Sequence, residues 1–413
     1  MPKIDLSFRL AVVCMAAISV GLPIAIISLS KALLLLGAIG SVVALRSQPA
    51  PKAPLKTLAT PLAIVLALAG LAASLSWTDA ALTQAGGAWA KHAKLLLIPV
   101  LLFMIRSPDE ARLALLSFVG GQAFVLVSST LLALQLPVPW AIASTALTEY
   151  AVFSSRLDQP IMGGVTAALC WHLRHLAPGR WGRHFAVAVA LLALVNVFWM
   201  MNGRTGHVVL IALVSLAVFW ELPVRWRLWA GAVPFALLLG LFLGSTSVRE
   251  RMTGAVQEID SYTKIGNTNS SSGERLNYWR RSIESMVQHP LTGSGVGSWN
   301  VEYKRLDQGR GPVNAENVRN PHQEYLLWGV EAGVIGMALL LNFFVAVYRD
   351  TLAMTAPVAR ATRSVLAALA LACLVNSSLF DATIGNFFCV ALGLLLALGW
   401  HTRPRAHPSP GGD

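Results

Sequence analysis

The sequence predicts an all-α integral membrane protein of about twelve transmembrane helices, with one large polar loop between the ninth and the tenth. Three observations predict it. Hydrophobic residues make up 55% of the chain and charged residues only 13%, where soluble domains carry roughly 25% charged residues, and the mean hydropathy is +0.61. Twelve apolar runs approach the length needed to cross a ~30 Å hydrocarbon core at ~1.5 Å per residue. Those runs lack the dyad alternation of barrel strands, and the helix is the other element that satisfies its own backbone in lipid.

In chain order the runs lie near 8–28, 30–45, 58–76, 89–105, 112–134, 160–176, 184–202, 206–220, 227–244, 324–347, 362–380 and 384–400. Nine of them fill residues 1–244, the loop occupies 245–323, three more fill 324–400, and 401–413 form a Pro-rich tail. The first run has a basic flank but no small-residue cleavage site followed by a polar mature sequence, so it is expected to remain as a signal anchor. Basic residues orient the chain. Lys3 and Arg9, then Arg46, Lys52 and Lys56, Arg106 and Arg112, Arg174, Arg180 and Arg183, Arg225 and Arg227, Arg349, Arg360 and Arg363, and Arg403 and Arg405 fall in alternate connections. The positive-inside rule places these in the cytoplasm with both termini, and residues 245–323 on the outer side. The net charge of +12 is thus a topology signal. Dispersed over seven segments, it does not form a nucleic-acid surface.

Cys14, Cys170, Cys373 and Cys389 lie inside apolar runs and the loop has none, which argues against a disulfide framework or a cysteine metal site. No internal repeat or inverted half is evident, which weakens a transporter plan. His172 and His175 at the inner end of the sixth run are read as packing.

Within the loop, Ser271 and Glu274 have capping-box spacing, and Leu276, Trp279, Ile283 and Met286 follow at helical intervals, predicting a helix from about 272 to 288. His289-Pro290 ends it, and Gly293, Gly295 and Gly297 are expected to form a flexible turn. The glycine spacing is not that of a dinucleotide loop, and no strand precedes it. Asn320 is expected to cap the next helix with Pro321 at its first position, leaving His322 in the first turn. There the helix dipole disfavours imidazolium, so His322 is a candidate general base. A purely structural hydrogen bond is the alternative for a lone histidine. The histidine has company in Arg204, held at the membrane boundary by the short Asn202-Gly203-Arg204-Thr205-Gly206 connection, in Arg275 on the loop helix, and in Arg156, which approaches from the same side. Guanidinium groups suit bidentate phosphate contacts. Snorkelling is their structural alternative, and Arg280 and Arg281 are read as a solvated face.

The segments Gly273-Glu274-Arg275-Leu276-Asn277-Tyr278-Trp279, His289-Pro290-Leu291-Thr292-Gly293-Ser294-Gly295-Val296-Gly297, His322-Gln323-Glu324-Tyr325-Leu326 and Glu331-Ala332-Gly333-Val334-Ile335-Gly336 resemble, in order and spacing, the signature of the bacterial O-antigen ligase and polymerase superfamily. Gln323 departs from the Asn often found after that histidine. The resemblance implies a GT-C-like glycosyltransferase of the bacterial inner membrane whose active site faces the periplasm. It implies a donor glycan on undecaprenyl pyrophosphate and, for a ligase, the lipid A-core oligosaccharide as acceptor, both held at the membrane lipid surface. It places catalytic weight on His322, Arg275 and Arg204, with Arg156 joining the pyrophosphate contacts. Inversion at the anomeric carbon without a covalent intermediate fits these residues. No Asp-x-Asp pair occurs in the sequence, so neither a metal nor another cofactor is implied, and Asp158, Glu302 and Asp381 receive no catalytic role. An O-antigen polymerase, a protein O-oligosaccharyltransferase and, more remotely, a multi-span transporter remain open.

Overall fold

The computed structural model describes residues 2–44, 53–142, 144, 146–201, 203–244, 246–307 and 318–403. Arg46, Lys52, Asn202, Arg405 and the tail from 404 lie outside them. The described residues form helices and no strands. The first nine helices are α1 (Pro2–Ser19), α2 (Ile24–Ala44), α3 (Ala53–Thr57), α4 (Ala59–Ala73), α5 (Leu82–His92), α6 (Leu97–Met104), α7 (Pro108–Ala133), α8 (Ala146–Glu149) and α9 (Asp158–Leu173). Next come α10 (Gly179–Val195), α11 (Arg204–Glu221), α12 (Val233–Gly244), α13 (Thr246–Ile265), α14 (Ser271–Gln288) and α15 (Trp299–Asp307), and last α16 (Glu324–Asp350), α17 (Ala356–Val375) and α18 (Ala382–Thr402). Among the described residues ten helical stretches are long and apolar enough to cross a membrane. Two of the twelve expected runs are shorter, the apolar part of α1 at Phe8–Ser19 and the 16-residue α9.

α18 is the hub. Its sequence is apolar on every side, and such a helix is stable only when surrounded; Ile384 to Gly399 are accordingly buried throughout. It packs against α6, α7 and α17, and Gly393 lets α6 approach closely, since a Cβ there would sit 2.8 Å from Leu101 Cδ1. At the far end from the loop, Arg9 is buried in an ion pair with Glu110 at 2.5 Å. Arg9 is therefore a packed residue as well as a flank of the first run.

Three local expectations need correction. The first apolar run does not extend over 8–28, because Gly21 to Pro23 interrupt it and α2 begins at Ile24. α14 is capped by Ser270, whose hydroxyl accepts from the Gly273 N–H at 3.1 Å, and Glu274 bonds the Tyr278 hydroxyl instead of closing a capping box. The 324–347 run is not one continuous helix, since Ala332 (φ −142°, ψ 19°) and Gly333 (φ 63°, ψ −154°) break α16 a few turns from its start.

The break in α16 is filled by the glycine segment. The Ser294 N–H donates to Val330 O at 2.8 Å, and Val334 N–H donates to Pro290 O at 2.8 Å, so the loop supplies the partners that the broken helix lacks. Gly293 (φ 63°) lies so close that a Cβ would stand 2.5 Å from Val330 O and 2.6 Å from Ala332 N. The expected flexible turn is thus a packed wedge with left-handed backbone at Gly293, Gly295 and Gly297. Beside it a second, smaller core joins Ala85 and Ala88 of α5, Tyr278 of α14, Trp299 and Tyr303 of α15, and Leu327 and Val330 of α16. This core fixes the loop to the bundle.

Candidate active site

Arg156, Arg204 and Arg275 converge on the end of the bundle that carries the loop. Two glycines bring the start of α11 onto the start of α9: a Cβ at Gly203 would lie 2.5 Å from Arg156 O, and one at Gly206 would lie 2.4 Å from Pro160 Cβ. Gln159 holds the strand of chain ahead of α9, accepting from Val152 N–H at 2.8 Å and donating to Tyr150 O at 3.2 Å. Arg156 projects from that segment and pairs with Glu149 at 2.5 Å, its side chain half exposed. Arg204 stands at a loose 4.0 Å from Glu258 of α13. Glu258 accepts from the Ser272 N–H at 3.1 Å, and its hydrogen bonding with Ser272, together with the charges of Arg204 and Arg275, holds its carboxyl below the usual range.

Arg275 is the exception among the three. It is half-buried and makes no hydrogen bond or ion pair with a described residue. Burial, and then the neighbouring charges of Arg204 and Arg156, lower its pKa from the ordinary arginine value, with the charges of Glu274 and Glu258 opposing them. An anion bound there gains the direct contact that no described residue makes with this guanidinium.

His322 occupies a different place from the one its sequence neighbours suggest. The helix begins at Glu324 and is capped by Gln323, whose side chain accepts from the Leu326 N–H at 2.6 Å. Asn320 instead accepts from the His322 N–H at 2.9 Å, and His322 adopts φ 52° just outside the helix. A non-glycine residue in this region costs about 1–3 kcal/mol and such strain clusters at functional sites. The first-turn dipole argument therefore does not apply. A side-chain relay does: His322 Nδ1 lies 3.2 Å from Asn376 Oδ1, and Asn376 Nδ2 donates to Asp381 Oδ2 at 3.1 Å. Because the Asn376 amide spends its donor on Asp381, its oxygen accepts, which assigns the proton to Nδ1 and leaves Nε2 with a free lone pair. Burial pushes the Asp381 carboxyl above its usual range, opposed by the charge of Lys94 and the hydrogen bond from Asn376 and, once His322 has taken up a proton, by the imidazolium. Glu324 pins the turn that carries this relay, accepting from Leu379 N–H at 2.9 Å and Phe380 N–H at 3.1 Å.

Tyr278 links the two halves. Its ring stacks on the His322 imidazole with centroids 6.2 Å apart, and on α14 it stands three residues after Arg275, a spacing that puts side chains on neighbouring positions of one face. All four anticipated residues, His322, Arg275, Arg204 and Arg156, thus belong to one neighbourhood. Tyr278, Asn376 and Asp381 complete it. Of the dismissed residues, Arg280 is exposed and pairs with Glu284 at 3.0 Å, whereas Arg281 does not belong to a solvated face: it is largely buried and pairs with both Glu284 at 2.7 Å and Asp307 of α15 at 3.3 Å. His172 packs edge-on against Trp220 at 5.2 Å.

A cluster of guanidinium groups beside an imidazole poised to accept a proton suits group transfer from a phosphate leaving group. Residues 188–341 match the family model described as O-antigen ligase. Among curated proteins none matches the chain. The O-antigen ligase match, over somewhat more than a third of the chain, bears out the resemblance of the loop motifs. That family implies a glycosyltransferase-like enzyme of O-antigen or polysaccharide processing, with lipid-linked glycan and lipid as substrates in general. The matched stretch holds Arg204, Arg275, Tyr278 and His322. Arg156, Asn376 and Asp381 fall outside it and reach the site through the fold.

Proposed function

We propose that the chain is an O-antigen ligase that transfers a glycan from undecaprenyl pyrophosphate to the lipid A-core oligosaccharide in lipopolysaccharide biosynthesis. It works at the periplasmic face of the bacterial inner membrane, with both termini in the cytoplasm. The observation that carries this reading is the juxtaposition, across Tyr278, of His322 with its tautomer set by Asn376 and of Arg275 with no hydrogen bond or ion pair to a described residue.

His322 Nε2 removes the proton from an acceptor hydroxyl as that oxygen attacks the anomeric carbon of the donor sugar. The bond from the anomeric carbon to the pyrophosphate oxygen breaks, the configuration inverts, and undecaprenyl pyrophosphate departs with its charge spread over Arg204, Arg275 and Arg156. The proton stays on the imidazole, stabilised through Asn376 and Asp381, until it passes to solvent. The arginines supply the positive charge, so the step requires no metal.

Removing the protein from its host tests the assignment. A ligase leaves polymerised glycan stranded on undecaprenyl pyrophosphate and bare lipid A-core. Accumulation of single repeat units on the lipid carrier instead identifies a polymerase and rules the ligase reading out.

A further inference from the structure

A second cationic pocket opens beside the site, built by elements that carry none of the three arginines. It encloses ≈ 420 Å³, within the ~300–1,000 Å³ usual for small-ligand sites. Lys91 of α5 and Arg319, just ahead of His322, both line it and are close enough to feel each other's charge, and Gln84, Trp299, Asn300 and Phe380 are among the other wall residues. Neither cation forms an ion pair with a described residue. The carboxylates nearest Lys91 are already engaged. Glu331, also in the wall, accepts from His92 Nε2 at 2.8 Å and from the Gly297 N–H at 3.0 Å, and Asp381 accepts from Asn376.

The lining is suited to a sugar as well as to an anion. Phe380 offers its ring face, with the Lys91 ammonium 4.1 Å from the centroid. The indole N–H of Trp299, a residue of this wall, is buried with no partner among the described residues. The pocket also reaches the reacting centre by two short routes. Phe380 precedes Asp381 of the histidine relay, and the Trp299 ring meets the Tyr278 ring, centroids 6.1 Å apart, on which His322 stacks.

We propose that this pocket binds an anionic sugar of the acceptor, holding the accepting glycan beside His322 while the arginine trio holds the donor. The proposal rests on the transfer reading above, and it assigns Lys91 and Arg319 to acceptor affinity, separate from donor binding. The test uses the full chain in lipid nanodiscs with the core oligosaccharide released from lipid A by mild acid as probe, either intact, phosphatase-treated or carboxyl-reduced. Undecaprenyl pyrophosphate binding is measured in parallel. For K91Q/R319Q the dissociation constant of the intact probe and the acceptor KM are expected to rise about tenfold or more, as loss of two charge-assisted contacts implies, while donor affinity and thermal stability stay at wild-type values. Neutralising the anionic groups on the probe is expected to weaken wild-type binding to the level of the variant.

Unchanged probe binding in the variant, or a defect that falls on the donor instead, overturns the proposal. Wild-type protein that binds the probe through these residues but transfers no glycan to lipid A-core keeps the pocket and removes the ligase reading. Transfer that proceeds with unaltered acceptor KM in K91Q/R319Q does the reverse.

Discussion

Asn376 is expected to be a positioning residue that acts only through His322, and Asn376→Ala measures how much that positioning contributes. In the ground state the substitution removes a 3.2 Å hydrogen bond from Nδ1 and a 3.1 Å bond to Asp381. In the transition state the ring has gained a proton, so the bond from Nδ1–H becomes charge-assisted. Hydrogen bonds to charged groups contribute about 1.5–3 kcal/mol. At about 1.36 kcal/mol per decade, kcat should fall roughly 10- to 150-fold. His322→Ala should lower it by roughly 10²–10⁴-fold. The double variant should match His322→Ala alone, because Asn376 has nothing left to orient. The assay is single-turnover transfer from a lipid-linked glycan in nanodiscs, with donor affinity and thermal midpoint recorded for each variant. Wild-type turnover in Asn376→Ala, or losses that multiply in the double variant, would refute the relay.

The arginines should separate from the histidine in kind. Arg275→Ala and Arg204→Ala are expected to impair donor binding or leaving-group departure, with lysine rescuing only partly because a point charge replaces a planar fork; Arg156→Ala, already paired with Glu149, should cost less, and equal defects at all three positions in an acceptor-only binding assay would contradict the assignment. Gly293→Ala should destabilise the protein by roughly 2–4 kcal/mol, since φ 63° and a 2.5 Å approach to Val330 O combine left-handed strain with overpacking. Gly254→Ala on α13, where a Cβ meets nothing within 4 Å, is the control, and equal thermal midpoints for the two would remove the wedge argument. In a cysteine-free background, an impermeant thiol reagent added outside should label a cysteine at 268 and spare one at 180; the opposite pattern inverts the topology.

Much of this architecture was legible because the physics acting on it is local. Hydropathy finds the spanning helices, and the 3.6-residue period of Leu276, Trp279 and Ile283 places α14 to within a residue. His322 and the arginines were found through motif spacing and the price of charge at a membrane boundary. What was hidden depends on long-range partners. The break at Ala332 and Gly333 lies inside an apolar run, and only the Pro290–Ser294 segment, some forty residues earlier, makes it stable. Asn320 was expected to cap the helix, but Gln323 caps it and Asn320 closes the turn that sets the backbone of His322. Asn376 and Asp381 lie 54 and 59 residues beyond His322 in the chain, on the turn before the most buried helix, with no local pattern to mark them. Residues 308–317 of the loop lie outside the described structure.

The central claim is that a histidine base and an arginine cluster transfer a lipid-linked glycan to lipid A-core. Purified protein, glycan-loaded undecaprenyl pyrophosphate and lipid A-core, incubated in excess EDTA and resolved on a gel, test it most directly. The account predicts a ladder of glycosylated lipid A-core with the wild-type protein, undiminished by the chelator, and almost none with His322→Ala at equal expression and dispersity. A chelator-sensitive reaction restored by Mg²⁺ or Mn²⁺, or product from His322→Ala at the wild-type rate, would contradict it.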